Sequence, residues 1–207
     1  MKILHIHAKA LIDIKLPDKE LNKLPKKIGV VTTIQHLHKL SDIQKQLPSS
    51  VIAGQILGCD VKSAEKISDK IDAFLFIGSG VFHPLAVAIT TKKPVFCWNP
   101  FVKEMKTIGR KEIEAYEKKK KASLTKFLSS DRIGILICTK PGQYHLDKAL
   151  KLKEKGDKDY YLFQFDTLNI AELENFNFIQ CWVNTACPRI SEDKANIINI
   201  DDILDLQ

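Results

Sequence analysis

Short apolar runs rich in β-branched residues alternate with polar, helix-periodic stretches along most of the chain. In the first half these runs predict strands at residues 28–33, 51–53, 73–77 and 95–98, with helices at 38–46, 63–70 and 83–91. Runs that are apolar on both faces are typical of buried parallel strands joined by right-handed helical crossovers. The first half therefore predicts one α/β unit.

The alternation returns after a charged stretch at residues 103–129, which predicts one or two helices with a break at Gly109. Beyond it, strands are predicted at residues 133–138, 160–165, 178–183 and 196–200, and helices at 146–155 and 170–174. We predict an α/β fold with two similar units of parallel sheet flanked by helices.

The first 24 residues fit neither unit. Residues 1–7 predict a strand, and residues 11–17 alternate apolar and polar side chains. A lone strand cannot bury its own faces. We interpret these first 24 residues as the end of a larger structural unit.

The chain has 207 residues and a formal charge of +7, and Lys118–Lys121 is its densest cluster. That cluster is either a solvated helix face or a surface that attracts an acidic partner. No nucleic-acid motif accompanies it, so direct nucleic-acid binding is not predicted. No apolar stretch approaches the roughly 20 residues that cross a bilayer. The start has no cleavable signal pattern, so we expect a cytoplasmic location and no membrane partner.

Five cysteines are present, and an odd number without a secretory signal argues against a disulfide framework. No C-x-x-C pair occurs, which argues against a zinc ribbon or a thioredoxin-type site. Cys97, Cys138 and Cys181 lie within apolar strand runs, where packing is the favoured role. Cys59 and Cys187 instead follow predicted strands.

Cys59 lies between Gly58 and Asp60, which indicates a loop, so its thiol is either a small packed group or a ligand or nucleophile. Cys187 precedes Pro188, which can begin a helix, and a thiol at a helix N-terminus favours the thiolate. Parallel α/β sheets bind ligands beyond the C-terminal ends of their strands, so these two thiols could share one soft metal centre. Two thiolates leave an iron–sulfur cluster short of ligands.

The loop at residues 78–84 also follows a predicted strand and begins Gly-Ser-Gly. Backbone N–H groups around Ser79 and Gly80 can bind an anion such as a carboxylate, although the glycine spacing is neither a Walker loop nor a dinucleotide fingerprint. His83 is either a donor or proton carrier, or a packed residue at the helix start. Gln143, in the loop predicted to be equivalent in the second unit, can donate and accept hydrogen bonds.

Four motifs in order carry a resemblance: VTTIQH at 31–36, LGCD at 57–60, GSGVFHPL at 78–85 and ACPRI at 186–190. With them the chain resembles the diphthamide synthase family, 2-(3-amino-3-carboxypropyl)histidine synthase, over nearly its whole length. The resemblance implies three similar α/β domains around a pseudo-threefold axis, each giving one cysteine to a central [4Fe–4S] cluster. Cys59 would be the second-domain ligand and Cys187 the third-domain ligand.

The resemblance also implies the chemistry. The cluster would pass one electron to S-adenosylmethionine and break its Cγ–S bond, which releases methylthioadenosine and a 3-amino-3-carboxypropyl radical. That radical would add to a histidine of translation elongation factor 2, the protein partner. Ser79, Gly80, His83, Gln143 and Arg189 would hold the S-adenosylmethionine.

Two departures from the family pattern are expected to matter. Residues 1–24 match only the end of a first domain, residues 25–120 a second domain with a linking helix, and residues 121–207 a third domain, so the first domain's cysteine is missing. The family's Gly-Gln-x-Arg pattern reads Gly-Gln-Tyr-His at residues 142–145.

Three hypotheses follow. The first is a split synthase, in which another chain supplies the first domain and the third cysteine and the synthase units form a dimer. The second is a non-catalytic supporting subunit of a heteromeric synthase. The third is a small-molecule-binding α/β protein that has kept the fold without the chemistry.

Overall fold

The computed structural model describes residue 4 and residues 6–192 and 196–204. Contacts divide the chain into two compact units, residues 1–113 and 114–207. Most of residues 1–7, predicted as a strand, lie outside the described part. In the described part, no helix is both long and apolar enough to cross a membrane.

The first unit is built on a five-stranded sheet. Its strands are β1 (Ile28–Thr32), β2 (Val51–Gln55), β3 (Ala73–Ile77), β4 (Val95–Asn99) and β5 (Glu104–Thr107). Its α-helices are α1 (Asp18–Leu21), α2 (Leu40–Gln46), α3 (Lys62–Glu65) and α4 (Phe82–Thr91), and 3₁₀ helices span Ile34–Lys39 and Ser68–Lys70.

The strand order in this sheet is β2-β1-β3-β4-β5, with β1 to β4 parallel. Both faces are covered by apolar clusters, one around Phe74 and Phe76 and the other around Leu75 and Trp98. The polar–apolar alternation of residues 11–17 has a structural cause, because Ile14 and Leu16 are buried in the second cluster.

Strand β5 corrects the sequence prediction, which had a helix from residue 103. Glu104–Thr107 pairs antiparallel with β4, and Met105 packs against the sheet while its neighbours face solvent. A turn produces this hairpin: the Phe101 N–H donates to Asn99 Oδ1 at 3.0 Å. The helix begins only at Arg110, after Gly109.

The helix α5 (Arg110–Leu128) connects the two units, and the second unit contains a four-stranded sheet. Its strands are β6 (Arg132–Cys138), β7 (Asp159–Phe165), β8 (Cys181–Asn184) and β9 (Ile197–Asn199). Its α-helices are α6 (Leu146–Lys153) and α7 (Ile200–Leu204), and 3₁₀ helices span Ile170–Asn175 and Pro188–Glu192.

The second sheet has the order β7-β6-β8-β9 and is parallel throughout. This order repeats that of β2-β1-β3-β4, so the prediction of two similar parallel units flanked by helices is confirmed. The indole of Trp182 lies where a Cβ on Gly134 would be, so a bare glycine on β6 admits the largest side chain of this core.

Candidate functional site

Cys59 lies at the tip of a tight turn that follows β2. Leu57 and Asp60 close the turn with backbone hydrogen bonds in both directions, at 2.9 and 3.1 Å. The Asp60 carboxylate accepts the Lys62 N–H at 3.2 Å, which ties the turn to the start of α3. Cys59 is exposed. The prediction that this residue is in a loop beyond a strand is therefore confirmed.

The Cys59 turn packs against the start of α4. A Cβ built on Gly58 would overlap the ring of Phe82, and Phe82 in turn contacts the His83 ring edge-on at a centroid distance of 5.3 Å. The loops after β2 and β3 thus meet, although β1 separates these strands in the sheet. Gly58 is needed for space and not for backbone freedom.

We expect Gly58→Ala to displace the Cys59 turn, because the added methyl group and the Phe82 ring cannot both keep their places. The free energy of unfolding should fall by about 1–3 kcal/mol in chemical denaturation. The double variant Gly58→Ala/Phe82→Ala makes room for the methyl group, so its destabilisation should be smaller than the sum of the two single effects. If the destabilisation of the double variant equals the sum of the two single effects, the contact between residue 58 and the Phe82 ring is contradicted.

Cys187 lies in the loop that follows β8, directly before the 3₁₀ helix Pro188–Glu192. The buried Asn184 organises this loop: its Nδ2 donates to the Cys187 carbonyl at 2.8 Å, and its Oδ1 accepts the Ala186 N–H at 3.0 Å. The same Nδ2 also donates to Asn199 Oδ1 at 2.9 Å. Cys187 is half-buried and directly precedes the helix, as Pro188 predicted.

The other cysteines are buried in strands, as predicted. Burial raises the pKa of Cys97 to about 12. Burial likewise raises the pKa of Cys181 to about 11, with nearby Lys126 and Lys158 opposing the effect in part. The Cys138 thiol accepts the Lys140 N–H at 3.4 Å. The thiols of Cys97 and Cys181 are therefore held neutral and are poorly suited to bind a metal ion, which requires the thiolate.

The difference in burial between the loop cysteines and the strand cysteines predicts the order in which their thiols react. With iodoacetamide at pH 8, Cys59 should be modified first and Cys187 more slowly, while Cys97 and Cys181 stay unmodified until the chain unfolds. For Cys97 and Cys181, the folded-state pKa lies above the ordinary thiol value, so a rise from pH 8 to pH 9 leaves both neutral. Peptide mass spectrometry over time measures this order. Modification of Cys97 before Cys59 would contradict the assignment.

Ser79 and Gly80 form an exposed loop after β3, where Gly80 has a φ of 78°. Left-handed backbone of this kind favours glycine. His83 lies in the first turn of α4 and is half-buried between two rings, with the Phe76 centroid at 6.4 Å. These three residues therefore share one sheet edge with Cys59, as the sequence predicted.

Gln143 lies in the loop after β6, and Arg189 lies in the 3₁₀ helix Pro188–Glu192 that follows β8. Gln143 is half-buried and its N–H closes a turn onto the Lys140 carbonyl at 3.0 Å. Arg189 is 72% exposed and its Nε lies 3.7 Å from Glu192 Oε2. Both residues are thus at the strand-end edge of the second sheet, on the same side as Cys187.

The predicted equivalence of the Gln143 loop and the Gly78–Gly80 loop is wrong. The repeated strand order matches β6 with β1 and β8 with β3, so the loop that corresponds to Gly78–Gly80 is the one that carries Cys187. Cys59 follows the second strand of its unit and Cys187 the third strand of its own. The two thiols are therefore not related by the repeat.

The sequence analysis missed His36, which is fully buried in the 3₁₀ helix after β1. Its ring lies 5.7 Å from that of Phe101, and its Nδ1 has no hydrogen-bond partner among the described residues. Burial, aided by His38, lowers the pKa of His36, so the imidazole is neutral at pH 7. A histidine four residues beyond a buried strand was the available signal, but no role was predicted for His36 or His38 from the sequence.

The described residues include no cluster of three or more Cys, His, Asp and Glu side chains placed to bind a metal. Each unit contributes one accessible thiol at the C-terminal edge of a parallel sheet. The chain is thus an α/β protein of two repeated sheet units, each of which carries one cysteine in a strand-end loop. Cysteine thiolates are the ligands that iron–sulfur clusters use, so this donor set fits part of such a site.

Comparison with known proteins agrees with this class. A family model described as "Putative diphthamide synthesis protein" matches residues 1–197, and the chain belongs to this diphthamide synthesis family. It is 33% identical over 190 residues to 2-(3-amino-3-carboxypropyl)histidine synthase of Pyrococcus horikoshii, a match covering 84% of this chain and 54% of that protein. The Methanocaldococcus jannaschii synthase is also 33% identical over 190 residues, covering 89% and 52%.

Among solved structures, the chain is similar to Dph2 from Pyrococcus horikoshii with a 4Fe-4S cluster. The TM-score is 0.78 at 30% sequence identity, over 92% of this chain and 60% of that one. The chain spans about half the length of the curated relatives it matches.

Proposed function

We propose that this chain forms part of a 2-(3-amino-3-carboxypropyl)histidine synthase, with Cys59 and Cys187 as two of the ligands of a [4Fe–4S] cluster. The observation that carries the proposal is that the five cysteines fall into two groups by location. Two thiols lie in strand-end loops and are accessible, whereas Cys97, Cys138 and Cys181 are buried in strands. The synthase names of the relatives and the cluster in the similar structure support the same assignment.

The chemistry proposed is transfer of the 3-amino-3-carboxypropyl group of S-adenosylmethionine to a histidine of translation elongation factor 2. When bound, the cluster supplies the electron that cleaves the Cγ–S bond of S-adenosylmethionine. This chain's residues bind and orient the substrate. The backbone N–H groups of the exposed Ser79–Gly80 loop accommodate its carboxylate, since glycine at 80 leaves the approach open.

The remaining candidates have narrower roles in the proposal. Arg189 is exposed beside Cys187 and supplies a fixed positive charge toward an anionic group. Gln143 offers an amide that can donate to a carboxylate and accept from an ammonium group. His83 is wedged between Phe76 and Phe82, so its ring orientation is fixed by packing. It thereby positions the start of α4 against the Cys59 turn.

We propose that the third thiolate comes from a first α/β domain, with residues 1–24 as the end of that domain and residues 25–120 and 121–207 as the second and third. Support comes from the donor set, because two cysteine ligands cannot hold a cluster that needs at least three. Such synthase units would pair as a dimer.

Anaerobic reconstitution tests the proposal. The chain is combined with a polypeptide carrying the first domain, loaded with iron and sulfide, reduced, and given S-adenosylmethionine and elongation factor 2. We expect release of methylthioadenosine and a mass increase of one 3-amino-3-carboxypropyl group on a histidine. A fully iron-loaded complex that forms neither product would contradict the proposal.

A second candidate, a non-catalytic supporting subunit, is favoured by the same shortage of ligands. The two are distinguished by the Cys59→Ala/Cys187→Ala variant in the complex. A supporting subunit would leave methylthioadenosine release unchanged, whereas a catalytic chain would lose it.

A further inference from the structure

Two asparagines and a serine form a continuous hydrogen-bonded network at the Cys187 loop, here called the asparagine network. Asn184 and Asn199 end the neighbouring strands β8 and β9, where they are opposed in the pairing. Asn184 Nδ2 donates to Asn199 Oδ1 at 2.9 Å, and Asn199 Nδ2 donates to Ser191 Oγ at 2.9 Å. The Ser191 hydroxyl in turn donates to the Pro188 carbonyl at 2.8 Å.

The backbone fixes the direction of every bond in this network. The Ala186 N–H can only donate and the Cys187 carbonyl can only accept, so Asn184 must turn Oδ1 to the first and Nδ2 to the second. The other N–H of this Nδ2 goes to Asn199, whose Oδ1 accepts it. Asn199 therefore has only donors left for Ser191, and the single hydroxyl proton of that serine is directed to a backbone carbonyl.

The network holds the backbone on both sides of the Cys187 thiol. It bonds to the Ala186 N–H, the Cys187 carbonyl and the Pro188 carbonyl, which belong to three consecutive residues. Just before them, the buried hydroxyl of Thr185 donates to the Leu136 carbonyl on β6 at 2.8 Å. With this backbone fixed, the direction of the Cα–Cβ bond of Cys187 is also fixed. Only rotation about that bond among its staggered positions still moves the sulfur atom.

We propose that Asn199 and Ser191 are positioning residues for Cys187 as a cluster ligand, and that they act through Asn184 and the Pro188 carbonyl. The inference rests on the proposed function, because it takes the Cys187 sulfur atom to bond iron. Partners that hold a metal ligand by hydrogen bonds, without touching the metal, affect both the affinity and the electronic properties of the site. Backbone bonds already pair β8 with β9, so the side chains of the network are not needed to form the sheet.

Hydrogen exchange in the full metal-free chain tests the positioning without the cluster. Ser191→Ala removes the acceptor of the Asn199 amide, so the contact of Asn199 with Asn184 loosens. We expect the Ala186 amide to exchange about five- to tenfold faster, which is roughly the contribution of one hydrogen bond. Val183, buried within β8, should exchange as in the wild type. Ser191→Thr keeps the hydroxyl group and should restore the wild-type rate.

Ser50→Ala is the matched control for Ser191→Ala. The Ser50 hydroxyl also donates to the carbonyl three residues earlier, that of Leu47, at 2.7 Å. It lies directly before β2, at the opposite end of that strand from the Cys59 turn. Loss of this bond should lower the stability of the chain to a similar extent, while the exchange of the Ala186 amide stays unchanged.

Electron paramagnetic resonance of the reduced cluster in the reconstituted complex tests whether the positioning reaches the metal. We expect Ser191→Ala and Asn199→Ala to shift or broaden the cluster signal, because the sulfur atom of Cys187 is no longer held in one position. Ser191→Thr and Ser50→Ala should keep the wild-type signal. A merely structural role would lower the stability and leave the signal unchanged. Cys187→Ala is the reference that shows how the signal responds when this ligand is lost.

The positioning role and the proposed function fail in different ways. A signal that changes in Cys187→Ala but stays wild-type in Ser191→Ala and Asn199→Ala would overturn the positioning role alone. Wild-type exchange of the Ala186 amide in both of these variants would overturn it equally. A signal and an iron content that do not change in Cys187→Ala would overturn the ligand role of Cys187, and the positioning role with it. Thermal melting establishes that each variant is folded, and Asn199→Ala decides the matter if Ser191→Ala is not.

Discussion

Replacing Cys59 or Cys187 with alanine in the reconstituted complex is expected to abolish methylthioadenosine release, with a loss of at least about 100-fold. Substitutions in the shell around metal ligands already cost roughly 10–100-fold in affinity or activity, and removal of a ligand costs more. Both thiols lie in loops whose conformation is fixed by other residues, so alanine at either position should leave the fold unchanged. The iron content of the complex should fall in parallel.

The matched controls are alanine variants of Cys97 and Cys138, which are buried and lie in strands. Each creates a small cavity and should lower the free energy of unfolding by about 1 kcal/mol while iron content and activity remain. A Cys138→Ala complex that loses its cluster, beside a Cys59→Ala complex that keeps it, would reverse the assignment of ligands.

Replacing Asn184 with leucine, which has a similar size, is expected to destabilise the second unit by about 2–4 kcal/mol. The side chain makes three hydrogen bonds while buried, and its loss leaves the Ala186 N–H and Asn199 Oδ1 without this partner. The Cys187 carbonyl keeps the Ile190 N–H at 3.0 Å, so the loop loosens but the short helix persists. Chemical denaturation measures the change.

Asn169→Leu is the control for the Asn184 variant. Asn169 also bonds to the backbone, accepting the Ala171 N–H at 3.2 Å, but it is exposed at the start of a 3₁₀ helix. Its loss should cost about 1 kcal/mol, as for other helix caps. Equal effects at the two positions would show that Asn184 does not organise the Cys187 loop.

The buried strands were predictable because their physical signal is local. Ala73–Ile77 and Arg132–Cys138 are apolar on both faces, which in a chain of this length indicates a parallel sheet between helices. The alternating pattern of β5 is four residues long and charged, so helical propensity in the flanking sequence hid it. Only its pairing with β4 makes it a strand, and such pairing is not encoded locally.

The candidate site was predictable in position but not in arrangement. Gly58, Asp60 and Pro188 indicated that Cys59 and Cys187 lie in loops, and the structure confirms it. The wedge of Phe82 against Gly58, and the bonds that Asn184 makes to the Cys187 loop, depend on tertiary contacts. The correspondence between loops was misjudged because it follows from strand order, which the sequence alone does not determine.

The most direct test of the central claim is crystallography of the iron-loaded complex, with anomalous diffraction at the iron edge. The account predicts a single cluster of four iron atoms, with one iron bonded to Cys59 Sγ and another to Cys187 Sγ. Iron bonded instead to Cys97, Cys138 or Cys181, or a cluster held without either loop cysteine, would contradict it.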